Sequence, residues 1–116
     1  MNIEFKYDAK FDSLDIISKE DKLSPLEQLS NFGWTSEDVQ LHMDYTQKIK
    51  DGEYDDDIEI ETGQWSLGYI LVYYKLKEAY VFKNGLDEAP ILLTLTLDEL
   101  LDFLTQMRDF LISVGR

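Results

Sequence analysis

The chain has no cysteine, only two prolines, a single histidine and 11 basic residues in 116. Each shortage excludes something. Without cysteine there is no disulfide scaffold, no thiolate metal site and no cysteine nucleophile. Against 24 acidic residues the few lysines and arginines leave a net charge of -13, so the basic footprint that phosphate contacts require is missing and nucleic acid is not an expected partner. Long hydrophobic runs are missing too. The longest uncharged stretch, Thr62 to Tyr74, has 13 residues and includes Gly63, Gln64, Ser66 and Gly68, too short and too polar to span a membrane. The opening MNIEFKYDAKFD carries scattered charges and no apolar run of signal-peptide length. Anionic membrane surfaces would repel an acidic face. The expected location is cytoplasmic, with no membrane partner.

What is present suffices for a core. Apolar residues make up 44% of the chain and aromatic ones 13%, which excludes wholesale disorder. A length of 116 residues suits one domain, residues 1–116, burying about two-thirds of the surface exposed when unfolded. No repeat, low-complexity linker or composition shift divides it.

Periodicity gives the order of elements. Ile3, Phe5 and Tyr7 alternate with Glu4 and Lys6, and Leu14 to Ile17 supplies a partner strand across a turn at Asp8-Ala9-Lys10. Ser24-Pro25-Leu26-Glu27 reads as a capping box opening a short helix that stops at Asn31-Phe32-Gly33. Thr35-Ser36-Glu37-Asp38 starts a second helix running to about Lys50, closed by Asp51-Gly52. Val39, Met43 and Thr46 share its inner face, His42 and Ile49 lie at the edge, and Leu41 and Tyr45 point away. Asp57 to Glu61 then alternates with a period of two, Ile58 and Ile60 facing inward. Tyr69 to Tyr74 is apolar at every position and predicts a strand covered on both faces. Ala79 to Phe82 and Ile91 to Leu95 follow, with Asn84-Gly85 as a turn signal. The last element opens on a capping box, Thr96-Leu97-Asp98-Glu99, and is a long amphipathic helix to about Val114, with Arg108 alone inside its apolar arc. The expected fold is α+β: an antiparallel sheet of about five to six strands packed against helices, including a long C-terminal helix.

Catalytic patterns are scarce. No G-x-S-x-G elbow, P-loop or dinucleotide glycine pattern occurs, and His42 reads as a packed histidine. No catalytic residue, cofactor or metal site is therefore expected, and the chain is not expected to be an enzyme. The run DGEYDDDIEIE has too early a glycine for a calcium loop, and its strand half cannot wrap a cation.

The informative feature is where the charge sits. Residues 51–61 hold seven acids, Asp51, Glu53, Asp55, Asp56, Asp57, Glu59 and Glu61, and no base, so more than half of the net charge of -13 lies in this run. One reading is a solvated loop and an edge strand protected against edge-to-edge pairing. The other is a docking face for a basic partner, in which the acids steer and Tyr54, Trp65 and Tyr45 anchor. Leu41 and Tyr45, one turn apart and pointing away from the inner face, read equally as ordinary exposed apolar residues or as an extension of the same face.

The small acidic cysteine-free chain, the aromatic strand series QWSLGYILVYYKLKEAYVF and the closing helix LTLDELLDFLTQMRDFL together resemble bacterial immunity proteins of the kind paired with contact-dependent growth inhibition toxins. The resemblance implies a protein–protein interaction: a cytoplasmic protein that binds a cognate toxin domain, often a nuclease, and blocks it. A nuclease surface is basic because its substrate is polyanionic, so an acidic inhibitor also fits on physical grounds. No family motif matches position by position, and no site residue is taken from the resemblance. Two other classes remain open: an acidic regulator or DNA mimic that binds a nucleic-acid-binding protein, and a small hydrolase with a carboxylate-bound metal.

Overall fold

The structure is a computed structural model that describes residues 1–62, 67–83 and 90–116. The chain is α+β, with antiparallel strands and a long C-terminal helix. Its described strands number seven and divide into sheets of three and four rather than forming one sheet. The first sheet is the predicted hairpin, β1 (Ile3–Asp8) and β2 (Ser13–Ser18), extended by β3 (Asn31–Phe32). The second has the order β4 (Ile58–Ile60), β5 (Gly68–Tyr73), β6 (Glu78–Lys83), β7 (Leu93–Thr96).

Two sequence expectations change here. The segment holding Ser24-Pro25-Leu26-Glu27 is a 3-10 helix, Asp21–Leu29, that begins before the proline, and its N-cap Glu20 makes no side-chain cap. Glu27 is occupied elsewhere: its carboxylate accepts the Ser18 N–H at 2.9 Å, tying the helix to β2. Asn31 and Phe32 do not merely stop that helix. They pair with Leu14 and Ser13 as β3.

The second change concerns the central strand, expected over Tyr69 to Tyr74 and covered on both sides. In β5 only one face is covered, with Ile70 and Val72 buried inward. Tyr69, Leu71 and Tyr73 point outward, where aromatic neighbours shield one another: Tyr69 stacks on Phe82 at 5.2 Å and Tyr73 meets Tyr80 edge-on at 5.3 Å. Aromatic and aliphatic residues on the open face of a sheet stabilise it through such cross-strand pairs without a second covering layer. The Asn84-Gly85 turn signal lies outside the described residues.

The inner face of the second sheet packs on the 3-10 helix, and α2 (Leu97–Ser113) contacts both sheets. Gly68 allows the close approach of helix and sheet. A Cβ there would sit 2.5 Å from Gln28 Cβ and 2.7 Å from the Phe82 carbonyl oxygen. In α2 the Thr96 capping box forms as predicted, and Leu100, Phe103, Leu104 and Met107 are fully buried. Each such side chain contributes about 1.5–3 kcal/mol relative to an exposed one. Phe5 of β1 stacks on Phe110 of α2 at 5.6 Å, so the first sheet is held to the same core.

α1 (Ser36–Lys50) packs on α2. Thr35 Oγ1 accepts the Asp38 N–H, Val39 and Ile49 are buried, and Gly52 with φ +74 turns the chain out of the helix. Arg108 lies at this interface. Its Nη1 donates to Gln40 Oε1 of α1 at 2.8 Å, and Nε and Nη2 donate to Asp109. The guanidinium is therefore paired at the helix edge while its stem stays in the apolar arc.

Candidate docking groove and acidic strip

α1 ends at Lys50 and β4 begins at Ile58, so the acidic run is the connection between them plus the strand itself. Asp51, Glu53, Asp55, Asp56, Asp57 and Glu59 are exposed and Glu61 is half-buried. None of the seven forms an ion pair among the described residues. Their hydrogen bonds are local. Asp51 accepts from Gln47 Nε2 at 3.0 Å, and Asp56 accepts the Asp57 N–H at 2.9 Å. Asp57 differs from its neighbours, because its carboxylate accepts the Tyr74 N–H at 3.0 Å and so ties the strip to the end of β5. It is a structural residue as well as a charge.

The anchors divide. Tyr45 and Tyr54 come together edge-on at 5.0 Å, Tyr54 packing against the core and leaving Tyr45 half-buried. Leu41, one turn earlier on α1, is 53% exposed. Trp65 lies outside the described residues. Leu41, Tyr45, Tyr54, Ile58 and Glu59 line a shallow depression between α1 and β4, so Glu59 of the strip and four apolar side chains share one surface.

That depression continues into a groove of about 480 Å³ that the sequence reading missed. It is lined by Asp38, Leu41 and His42 of α1, by Phe32, Gly33 and Trp34, and by Glu61 and Thr62. Two hydrogen bonds set its shape. Asn31 Nδ2 donates to Thr62 Oγ1 at 2.6 Å, joining β3 to the end of β4. Trp34 Nε1 donates to the Leu29 carbonyl at 2.8 Å, so the indole is a buried floor whose polar atom is satisfied from below. His42 meets the Trp34 ring edge-on at 6.4 Å. Burial pushes the His42 pKa down, Asp38 opposing more weakly, and the ring is neutral at pH 7. A signal for the groove exists in the sequence: Asp38, Leu41 and Tyr45 stand at i, i+3 and i+7, a second stripe on α1 opposite Val39 and Thr46.

Among the described residues no three His, Asp or Glu side chains converge so as to hold a metal ion, and no helix is long and apolar enough to cross a membrane. Comparison with protein-family models, curated proteins and solved structures returns no match.

Proposed function

We propose that the chain is an immunity protein that acts in the cytoplasm, binding a cognate toxin domain with a basic surface, a nuclease domain, and neutralising it by occlusion without chemistry of its own. One observation carries the proposal: seven carboxylates lacking internal ion pairs among the described residues lie in the segment from Asp51 to Glu61, which also contributes Tyr54, Ile58 and Glu59 to the surface formed with Leu41 and Tyr45. Uncompensated charge of one sign steers a partner of the opposite sign and raises the association rate. Half-buried tyrosines held by a neighbour lose little freedom on binding and suit the desolvated centre of an interface. A nuclease is the fitting target, since the cationic surface that binds a polyanion is the surface an acidic strip complements.

The test asks first whether a neighbouring gene encodes a toxin with a basic nuclease domain, then co-expresses that domain with the chain and titrates the two purified proteins; absence of such a gene counts against the pairing. The expected result is growth rescue and loss of nuclease activity at a 1:1 ratio. A stable complex that leaves the partner fully active would refute neutralisation, and absence of a complex would refute the pairing itself.

A further inference from the structure

We propose that the groove between α1 and Glu61 is a socket for an arginine side chain of the partner protein, an inference that rests on the docking function proposed above. The groove joins three properties that a guanidinium needs. Asp38 of α1 and Glu61 after β4 both line it, and no cation pairs with either among the described residues. Phe32, 50% exposed, also lines it and supplies an aromatic ring, on which a planar cation stacks favourably. The floor is Trp34, buried and with its N–H already bonded, so a cation seated there leaves no donor stranded.

His42 completes the lining as a neutral ring that adds no repulsion. Arginine fits better than lysine because its flat fork reaches two separated carboxylates while its face lies on a ring, whereas an ammonium is a compact, strongly hydrated point charge. The volume of about 480 Å³ accommodates one long side chain together with the backbone that presents it.

The experiment titrates the isotope-labelled chain with three capped tripeptides, Gly-Arg-Gly, Gly-Lys-Gly and Gly-citrulline-Gly, the last keeping arginine's shape without its charge. The reporters are the Trp34 indole N–H, the His42 ring and the Gly33 and Asp38 amides. The arginine peptide is expected to shift these signals saturably, with a Kd of about 1–10 mM. The lysine peptide should bind at least about threefold more weakly and the citrulline peptide not measurably. In Asp38→Asn/Glu61→Gln the arginine affinity should fall at least about tenfold.

No saturable shift with arginine, equal shifts with arginine and citrulline, or undiminished affinity in the double variant would overturn the socket. Lysine binding as tightly as arginine would overturn the choice of side chain. If the double variant fails to fold, the comparison of arginine with citrulline on the wild-type chain still decides. None of these outcomes touches the docking reading, which is tested on Asp55, Asp56 and Glu59 with the toxin domain; those three side chains do not line this end of the groove.

Discussion

Replacing Asp55, Asp56 and Glu59 together by Asn, Asn and Gln removes three negative charges while keeping side-chain size. Asp57 is left alone because it accepts the Tyr74 N–H. The triple variant loses no ion pair among the described residues, and an Asn at 56 still offers an oxygen to the Asp57 N–H. Stability should therefore hold within about 0.5 kcal/mol, about 2 °C in Tm for a chain of this size. Association with the basic toxin domain should respond very differently. Each exposed charge facing a basic surface is worth about 0.5–1 kcal/mol at low salt, so three amount to about 1.5–3 kcal/mol, or about 10- to 150-fold in affinity. Most of that loss should appear in kon, because rim charges act on encounter more than on residence. At about 20 mM salt the screening length is about 20 Å and the strip acts at a distance; at about 200 mM it is about 7 Å and much of the steering is gone. Stopped-flow kinetics at both salts are the assay. The expected pattern is a large difference in kon at low salt that narrows at high salt. Equal kon for variant and wild type at 20 mM would refute docking by the strip and leave edge protection as its role.

Gly68→Ala should cost about 2–4 kcal/mol, since the new Cβ meets Gln28 and the Phe82 carbonyl well inside contact distance; a Tm loss under about 3 °C would show that the 3-10 helix does not sit on β5 as described. Arg108→Met should cost about 1 kcal/mol or less by chemical denaturation, because it gives up one bond to Gln40 and a partly exposed pair with Asp109 while its stem is replaced in kind; a loss above about 3 kcal/mol would mean a buried, obligatory pair. The His42 pKa is lower in the folded chain than in the unfolded one, so the unfolded state takes up protons first as pH falls below about 6.5, and stability should drop there. Asp38, Glu59, Glu61, Tyr45 and Tyr54 line the same depressions as His42, Asp38 opposing the shift, and His42→Gln should remove the slope that His42 contributes to denaturation curves as pH falls below about 6.5; a folded variant that keeps the full slope would show that another group carries it.

Local signals were legible wherever one residue type answers one backbone need. Thr96 and Glu99 close a reciprocal capping box, Thr35 caps α1, and Ile3, Phe5 and Tyr7 alternate because β1 has one covered side. Signals failed where tertiary partners decide. Glu27 has the sequence of a capping residue, but Ser18 offers it an unpaired N–H, and the helix begins at Asp21. The apolar run over Tyr69 to Tyr74 cannot by itself say whether a second layer exists; the rings of Phe82 and Tyr80 substitute for one. The groove was hidden for the same reason. Phe32, Trp34, Asp38 and Glu61 are spread over 30 residues, and the Asn31–Thr62 bond that brings them together has no sequence pattern.

Edge protection and docking can be weighed against each other on the placement of the charges. β4 spans only Ile58–Ile60 and pairs with β5 on one side, so an edge defence accounts for Glu59 and, at the strand ends, Asp57 and Glu61. It does not account for Asp51, Glu53, Asp55 and Asp56, which precede the strand where there is no ladder to defend. Nor do the nearby cations serve them. Lys50, adjacent to the strip in sequence, pairs with Asp98 of α2 at 2.5 Å, and Lys48 sits over the Tyr45 ring at 5.4 Å. Lys77 donates to the Lys50 carbonyl at 3.0 Å rather than to a carboxylate of the strip. The described ion pairs thus take up acids elsewhere: Glu4, Asp12, Asp98, Asp102 and Asp109. A fold selected only for stability and solubility gains nothing from concentrating its unpaired charge beside its exposed leucine and half-buried tyrosines. A surface selected to meet a basic partner does, because the acids set the rate of encounter and the apolar side chains between them are the part that excludes water once contact is made.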